Sequence, residues 1–265
     1  MSPAGSFSGA GAATRRAAAG AAPVVDVAGL GGLSGLVDVR LLRHRAGAIM
    51  LPIHLLRFDQ AQFAPRQFAQ HGLPCPPDIA CSVPHRQAEF FFGRLAARQA
   101  LRGAGWHGAQ VGRGKHRQPV WPAGAVGAIS HDKGLAAACA VSARALHGVG
   151  IDIESVPDAA AAAAVETQVL SAAELRLLRA HGTRPYRVLL AIAFSAKESF
   201  YKAISPVVGR YFGFDALRIE QFDTAAGRLR YTLLQTLAPA WPAGQTGQMD
   251  FTMLDAHTVL TVCAW

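Results

Sequence analysis

The sequence predicts an α+β protein whose two halves join near residues 144–148. Two observations predict it. The elements run helix, strands, helices, strands, an order that the strict alternation of a doubly wound sheet does not produce. Past residue 214, Leu217-Arg218-Ile219-Glu220, Arg228-Leu229-Arg230-Tyr231-Thr232 and Thr258-Val259-Leu260-Thr261-Val262 alternate as antiparallel strands do. Residues 1–40 are expected to form a low-complexity tail, 41–147 an N-terminal half and 148–265 a C-terminal half. The 265 residues suffice for one large or two small domains with a real core.

Taken in order, residues 1–35 are Ala, Gly and Ser with little periodicity, and such a segment buries too little to fold alone. Arg15-Arg16 before an Ala-rich run imitates a twin-arginine export signal. Asp26 and several glycines interrupt the next segment, however, so a flexible tail or a misassigned start is the better reading. Residues 41–55 pattern as one or two strands, and 65–84, rich in Pro and Gly, as loop. Residues 85–102 form a strong helix: Phe91, Leu95 and Leu101 give an apolar stripe and Gly103 stops it. Three strand-like pieces follow at 125–130, 135–141 and 148–154. Residues 158–181 are helical, with a new start at Ser171, because Ser171-Ala172-Ala173-Glu174 matches a capping box. Residues 184–204 form one more helix.

No run of about 18 uncharged apolar residues appears, so a membrane span is not expected. Cys75, Cys81, Cys139 and Cys263 show no CxxC and no His at zinc-ligand spacing; the last two sit in apolar runs, and the reading is a reducing cytoplasm. The formal charge of +9 favours an acidic partner. Its basic residues form no single block and no aromatic-interleaved signature of RNA binding.

The chemistry concentrates in two segments. Gly148-Val149-Gly150-Ile151-Asp152-Ile153-Glu154 reads as a buried strand, so Asp152 and Glu154 share a face roughly 7 Å apart while Ile151 and Ile153 face the other layer. Phe194-Ser195-Ala196-Lys197-Glu198-Ser199-Phe200-Tyr201-Lys202-Ala203 reads as a helix with Glu198 and Lys202 one turn apart. Burying two acids is costly unless positive charge offsets it. Salt bridges would do so, and Lys202 can be merely the i,i+4 partner of Glu198. A divalent cation held by Asp152, Glu154 and Glu198 would do so as well, with Lys197 and Lys202 available to substrate phosphates.

Other patterns are weaker. Gly103-Ala104-Gly105-Trp106-His107-Gly108 follows a helix instead of a strand, so it is no dinucleotide fingerprint, and Gly114-Lys115 lacks the rest of a P-loop. Arg94, Arg98 and Arg102 recur every fourth residue, as a solvated face or as a phosphate clamp. Ser130-His131 ends an apolar strand; adjacent strand side chains point apart, which argues against a nucleophilic pair and leaves both free to bond a phosphate or an adenine ring.

Taken together, these segments resemble the 4′-phosphopantetheinyl transferases, in the larger monomeric class of the surfactin and enterobactin synthetase activators. The resemblance rests on Arg86-Gln87-Ala88-Glu89-Phe90, Gly93-Arg94-Leu95-Ala96-Ala97-Arg98-Gln99-Ala100-Leu101, Arg117-Gln118-Pro119-Val120-Trp121-Pro122, Gly127-Ala128-Ile129-Ser130-His131 and the two acid-bearing segments, in the family's order across residues 58–222. The arginine-rich helix with Arg117-Gln118-Pro119 leans toward the enterobactin-type branch. The resemblance implies two similar α/β halves in a pseudo-dimeric monomer, with an active site at their interface that binds coenzyme A and Mg²⁺, Mn²⁺ being an alternative ion. It implies transfer of phosphopantetheine to a serine of an apo acyl, peptidyl or aryl carrier protein, in nonribosomal peptide, siderophore or polyketide synthesis, with release of adenosine 3′,5′-bisphosphate. Asp152, Glu154 and Glu198 would hold the metal. Arg86, Arg94, Arg98, Ser130, His131 and Lys197 would contact coenzyme A, with Lys115 or Arg117 as a further basic contact. Glu198, directly or through water, would accept the serine proton, and Lys202 would stabilise the leaving phosphate.

Carrier proteins are acidic around the modified serine, which gives the +9 charge a steering role. Tyr186, Leu189, Tyr211 and Phe212 are the expected apolar contacts. Two other classes compete: a basic nucleic-acid-binding module with structural acids, which predicts salt-dependent affinity for DNA or RNA, and a metal-dependent phosphohydrolase. The paired motif ranks both below the transferase.

Overall fold

The computed structural model describes Leu30, residues 32–47 and residues 49–265; the Arg15-Arg16 segment and most of the expected tail lie outside the described residues. The first strand, β1 (Leu36–Ala46), opens five residues earlier than the pattern indicated and pairs antiparallel with β2 (Ile49–Phe58). The 65–84 stretch holds two four-residue helices, α1 (Gln67–Gln70) and α2 (Pro77–Ala80), each too short to show a period. Helix α3 (Pro84–Gly103) begins on a proline, whose missing N–H is lost at a helix start anyway. A small hairpin of β3 (Gly112–Arg113) and β4 (Pro119–Val120) precedes β5 (Ala125–Asp132) and β6 (Leu135–Ser142). The second half runs β7 (Val149–Ser155), α4 (Ala159–Gln168), α5 (Ala172–Ala180), α6 (Tyr186–Val208), β8 (Leu217–Asp223), β9 (Arg228–Leu233), β10 (Thr246–Met253) and β11 (Thr258–Ala264).

The chain is α+β. One antiparallel sheet has the order β1-β2-β6-β5 and a second the order β7-β11-β10-β9-β8. Side-chain alternation sorts three cores. On β6, Ala136, Ala138 and Ala140 pack toward α3 with Phe91, Phe92, Leu95 and Leu101, whereas Ala137, Cys139 and Val141 face the other sheet. There they meet Ile151 and Ile153 of β7 and Leu260 and Val262 of β11. The opposite face of the second sheet packs on α6 through Leu189, Ile192, Phe200 and Val259. The layers are therefore α3, sheet, sheet, α6. Leu189 lies in this core, fully buried, and Phe212 is buried too, which corrects both as surface contacts; Tyr211 is 78% exposed. Buried Cys139 and Cys263, their thiols pushed up to about 12 by desolvation, are inert packing groups. Among the described residues, no helix is long and apolar enough to cross a membrane.

The capping box forms as the sequence predicts: Ser171 accepts from the Glu174 amide, and Glu174 accepts from the Ser171 amide at 2.8 Å. Glu174 does more than cap. Its carboxylate also accepts from the Ile219 amide of β8 and pairs with Lys197 of α6 at 2.9 Å, where both side chains are 1% exposed. One acid thus joins α5, α6 and the second sheet.

Candidate active site

Strands β5 and β7 are edge strands of different sheets, and side chains instead of a backbone ladder stitch them together. Ser130 Oγ accepts from the Ile153 amide at 3.1 Å, and Asp132 Oδ2 accepts from the Ser155 amide at 2.8 Å. Two edge N–H groups that would otherwise lack partners are satisfied this way. Asp132 has no special pattern in the sequence, and only the meeting of two edges gives it a role.

The same stitch sets the acids. Ser130 Oγ donates to Asp152 Oδ1 at 2.8 Å, and Lys202 Nζ donates to that oxygen at 2.6 Å. Asp152 is 3% exposed, and its second oxygen is buried without a partner. Glu154 is pushed up to about 8, first by burial and then by the charges of Asp152, Asp132 and Glu198, against the pull of Lys202. Glu198 is raised too, chiefly by burial, with Lys202 lowering and Asp152 raising it. Three carboxylates thus share a poorly solvated corner with one lysine, a charge deficit that a cation would relieve. Among the described residues, no three His, Cys, Asp or Glu side chains are gathered as a ready metal cluster. The orphaned Asp152 oxygen and the all-oxygen donor set nevertheless fit a hard divalent ion.

Two glycines allow α6 to come this close. A Cβ on Gly150 would lie 1.9 Å from the Ser199 carbonyl oxygen, and one on Gly148 would lie 2.7 Å from that of Ala203. Gly150→Ala must therefore push α6 off β7. We expect a loss of about 1–3 kcal/mol, with activity falling further than stability because Glu198 and Lys202 shift from Asp152; chemical denaturation alongside an activity assay checks both. Ser195 and Ser199 anchor the same helix to Thr261 of β11.

His131 points the other way, toward α3, as adjacent strand residues must. Arg86 Nη1 lies 2.9 Å from His131 Nε2, and Glu89 Oε2 lies 3.3 Å from Arg86 Nη1. Burial holds His131 below its ordinary value, opposed first by Glu89. A cleft of about 510 Å³ opens alongside, lined by Phe58, His85, Glu89, Asp132 and Lys133 among others. Charge coupling of His131 to Lys202 and Asp152 links the two corners.

The remaining basic residues divide. Arg94 donates to the Val111 and Gly112 carbonyls at 2.7 and 2.8 Å and stacks over Phe90, and Arg98 donates to the His71 carbonyl. With Arg113, which the sequence reading missed, they line a separate small cavity walled by Leu73, Pro74 and Pro76. Burial, helped by Arg113, lowers Arg94 to about 10, still a cation at neutral pH. Lys115 and Arg117 are exposed on the β3–β4 hairpin, with Arg117 Nε 3.7 Å from Asp78. Lys197 is misplaced by the sequence reading: its ammonium is buried on Glu174 and on the Val169 and Phe214 carbonyls, so it is a structural group with no donor left for coenzyme A. Tyr186 donates to Glu166 instead of offering a free apolar face.

Clustered acids beside a lysine, with arginine and histidine across the strand, are equipment for phosphate chemistry. Residues 76–141 match the 4′-phosphopantetheinyl transferase N-terminal domain, and residues 148–262 match the 4′-phosphopantetheinyl transferase superfamily. Enterobactin synthase component D of Salmonella typhi is 35% identical over 171 residues, 64% of this chain and 69% of that protein. The 4′-phosphopantetheinyl transferase Npt of Nocardia iowensis is 33% identical over 141 residues, 53% of this chain and 62% of its own, and PptT of Mycobacterium tuberculosis is 36% identical over 151 residues, 56% and 63% respectively. The chain belongs to the 4′-phosphopantetheinyl transferase superfamily. It is a transferase that uses coenzyme A as co-substrate and acts on apo carrier proteins; the nucleic-acid-binding and phosphohydrolase readings are not favoured.

Proposed function

We propose that the chain acts as a cytoplasmic, Mg²⁺-dependent monomer with internal pseudo-symmetry, activating carrier domains of nonribosomal peptide or siderophore synthesis. The organisation proposed is a low-complexity tail, an N-terminal half that binds coenzyme A and a C-terminal half that supplies the acids, with the site where β5 meets β7. The observation that carries the metal-dependent reading is the orphaned, buried Asp152 oxygen beside Glu154 and Glu198, two carboxylates that burial and neighbouring acids raise. Asp152, Glu154 and Glu198 would hold Mg²⁺ or Mn²⁺, which when bound neutralises pyrophosphate charge. Arg86 and His131 hold a phosphate of coenzyme A, and Arg94, bonded to the Val111 and Gly112 carbonyls, braces the hairpin that carries Lys115 and Arg117 over the nucleotide. In the reaction the serine oxygen bonds to the β-phosphorus, the bond to the adenosine bisphosphate oxygen breaks, and the serine proton passes to Glu198, directly or through a water. Lys202 places its ammonium beside the departing phosphate and stabilises it.

Titration tests the acid cluster. Without metal, Glu154 is protonated to about 8 in the folded protein against 4.5 as its ordinary value, so the folded state binds the extra proton between those limits. Its contribution is full at the acid end and declines as pH rises through that window. Ion binding demands the ionised form, so thermal stabilisation by Mg²⁺ over EDTA should grow from pH 6 to pH 8. Stabilisation that is absent or flat with pH would contradict the metal assignment.

A further inference from the structure

We propose that Glu89 is a positioning residue for the phosphate corner: its carboxylate fixes the tautomer and orientation of His131 and, together with His131, holds the Arg86 guanidinium in place. This rests on the reading of Arg86 and His131 as coenzyme A ligands. A guanidinium can only donate, so Arg86 Nη1 at 2.9 Å from His131 Nε2 requires the lone pair on Nε2 and the ring proton on Nδ1. That Nδ1 lies 3.6 Å from Glu89 Oε2, the same oxygen that accepts from Arg86 Nη1 at 3.3 Å. One carboxylate oxygen therefore faces both the Arg86 guanidinium and the His131 Nδ1–H, from one turn along α3.

Burial supports the assignment. The Glu89 side chain is 18% exposed and His131 28%, whereas Arg86 is 43% exposed and, as a long side chain, keeps its rotamer freedom unless partners take it away. Gly93, one turn past Glu89, brings α3 within 3.9 Å of the His131 ring, measured from where a Cβ would stand, so the imidazole packs against the helix that carries its acid. The Glu89 carboxylate also partly offsets the burial that holds His131 below its ordinary value. A carboxylate that orients a ligating histidine from behind is a familiar division of labour at anion and metal sites.

The test pairs nuclear magnetic resonance of ¹⁵N-histidine-labelled protein with steady-state kinetics in coenzyme A, for Glu89→Ala and Glu89→Gln. The expected wild type shows His131 neutral with its proton on Nδ1. Glu89→Ala should mix the tautomers and raise KM for coenzyme A by about 10- to 100-fold, with kcat within about two-fold of wild type, while Glu89→Gln restores most of both. An unchanged His131 tautomer in Glu89→Ala overturns the proposal. So does an unchanged KM while Arg86→Ala and His131→Ala still raise theirs. If neither of those two variants moves KM, the ligand reading of the corner has failed, and the resonance arm still decides whether Glu89 orients the ring.

Discussion

Asp152→Asn is expected to lower phosphopantetheine transfer by at least about 100-fold, the scale of losing a central electrostatic contact in a reaction driven by charge neutralisation. The fold should survive. Asparagine keeps an oxygen for Ser130 and Lys202, and it removes a charge of which one oxygen is buried without a partner. Lys202 is 27% exposed, so water can take over its loosened bond. Stability within about 1–2 kcal/mol of wild type, or above it, is the expected outcome by chemical denaturation. Inactivity that merely tracks unfolding would show that Asp152 serves the scaffold instead of the reaction.

Glu174→Ala should do the opposite, costing about 3–5 kcal/mol because it strands the Lys197 ammonium where it is 1% exposed. Three further contacts go with it: the Ser171 cap, the Ser171 hydroxyl bond and the Ile219 amide bond. Lys197→Met leaves the Glu174 carboxylate its amide donors but removes its counter-charge, so a smaller loss is expected. Urea unfolding of the two single variants checks the order. If Lys197→Met lost transfer without losing stability, Lys197 would belong to the site after all.

These two expectations mark where the sequence could be read and where it could not. Strand alternation placed Asp152 and Glu154 on one face and Ile151 and Ile153 on the other, and the two isoleucines do pack between the sheets. The Ser171–Glu174 cap was legible because its two members are three residues apart. Its second duty was not, because Lys197 and Ile219 meet Glu174 only through tertiary packing. Lys197 and Glu198 adjoin in sequence, yet neighbouring helix positions point about 100° apart, so the motif alone could not say which one turns to the substrate. Gly148 and Gly150 read as strand residues, whereas the clearance they give α6 exists only once α6 is docked. Strand β10, Thr-Gly-Gln-Met-Asp-Phe-Thr-Met, is hidden in the sequence because glycine and polar residues dilute its alternation. Glu89 carries one signal, its i,i+3 spacing from Arg86, but such a pair reads equally well as an exposed helix-surface contact.

The most direct measurement is the intact mass of an apo peptidyl-carrier domain incubated with this protein, coenzyme A and Mg²⁺, with EDTA as control. The expected result is a gain of about 340 Da, one covalent phosphopantetheine ester, that EDTA abolishes. No gain across peptidyl, aryl and acyl carriers, with the protein folded and coenzyme A bound, would contradict metal-dependent transfer by this chain.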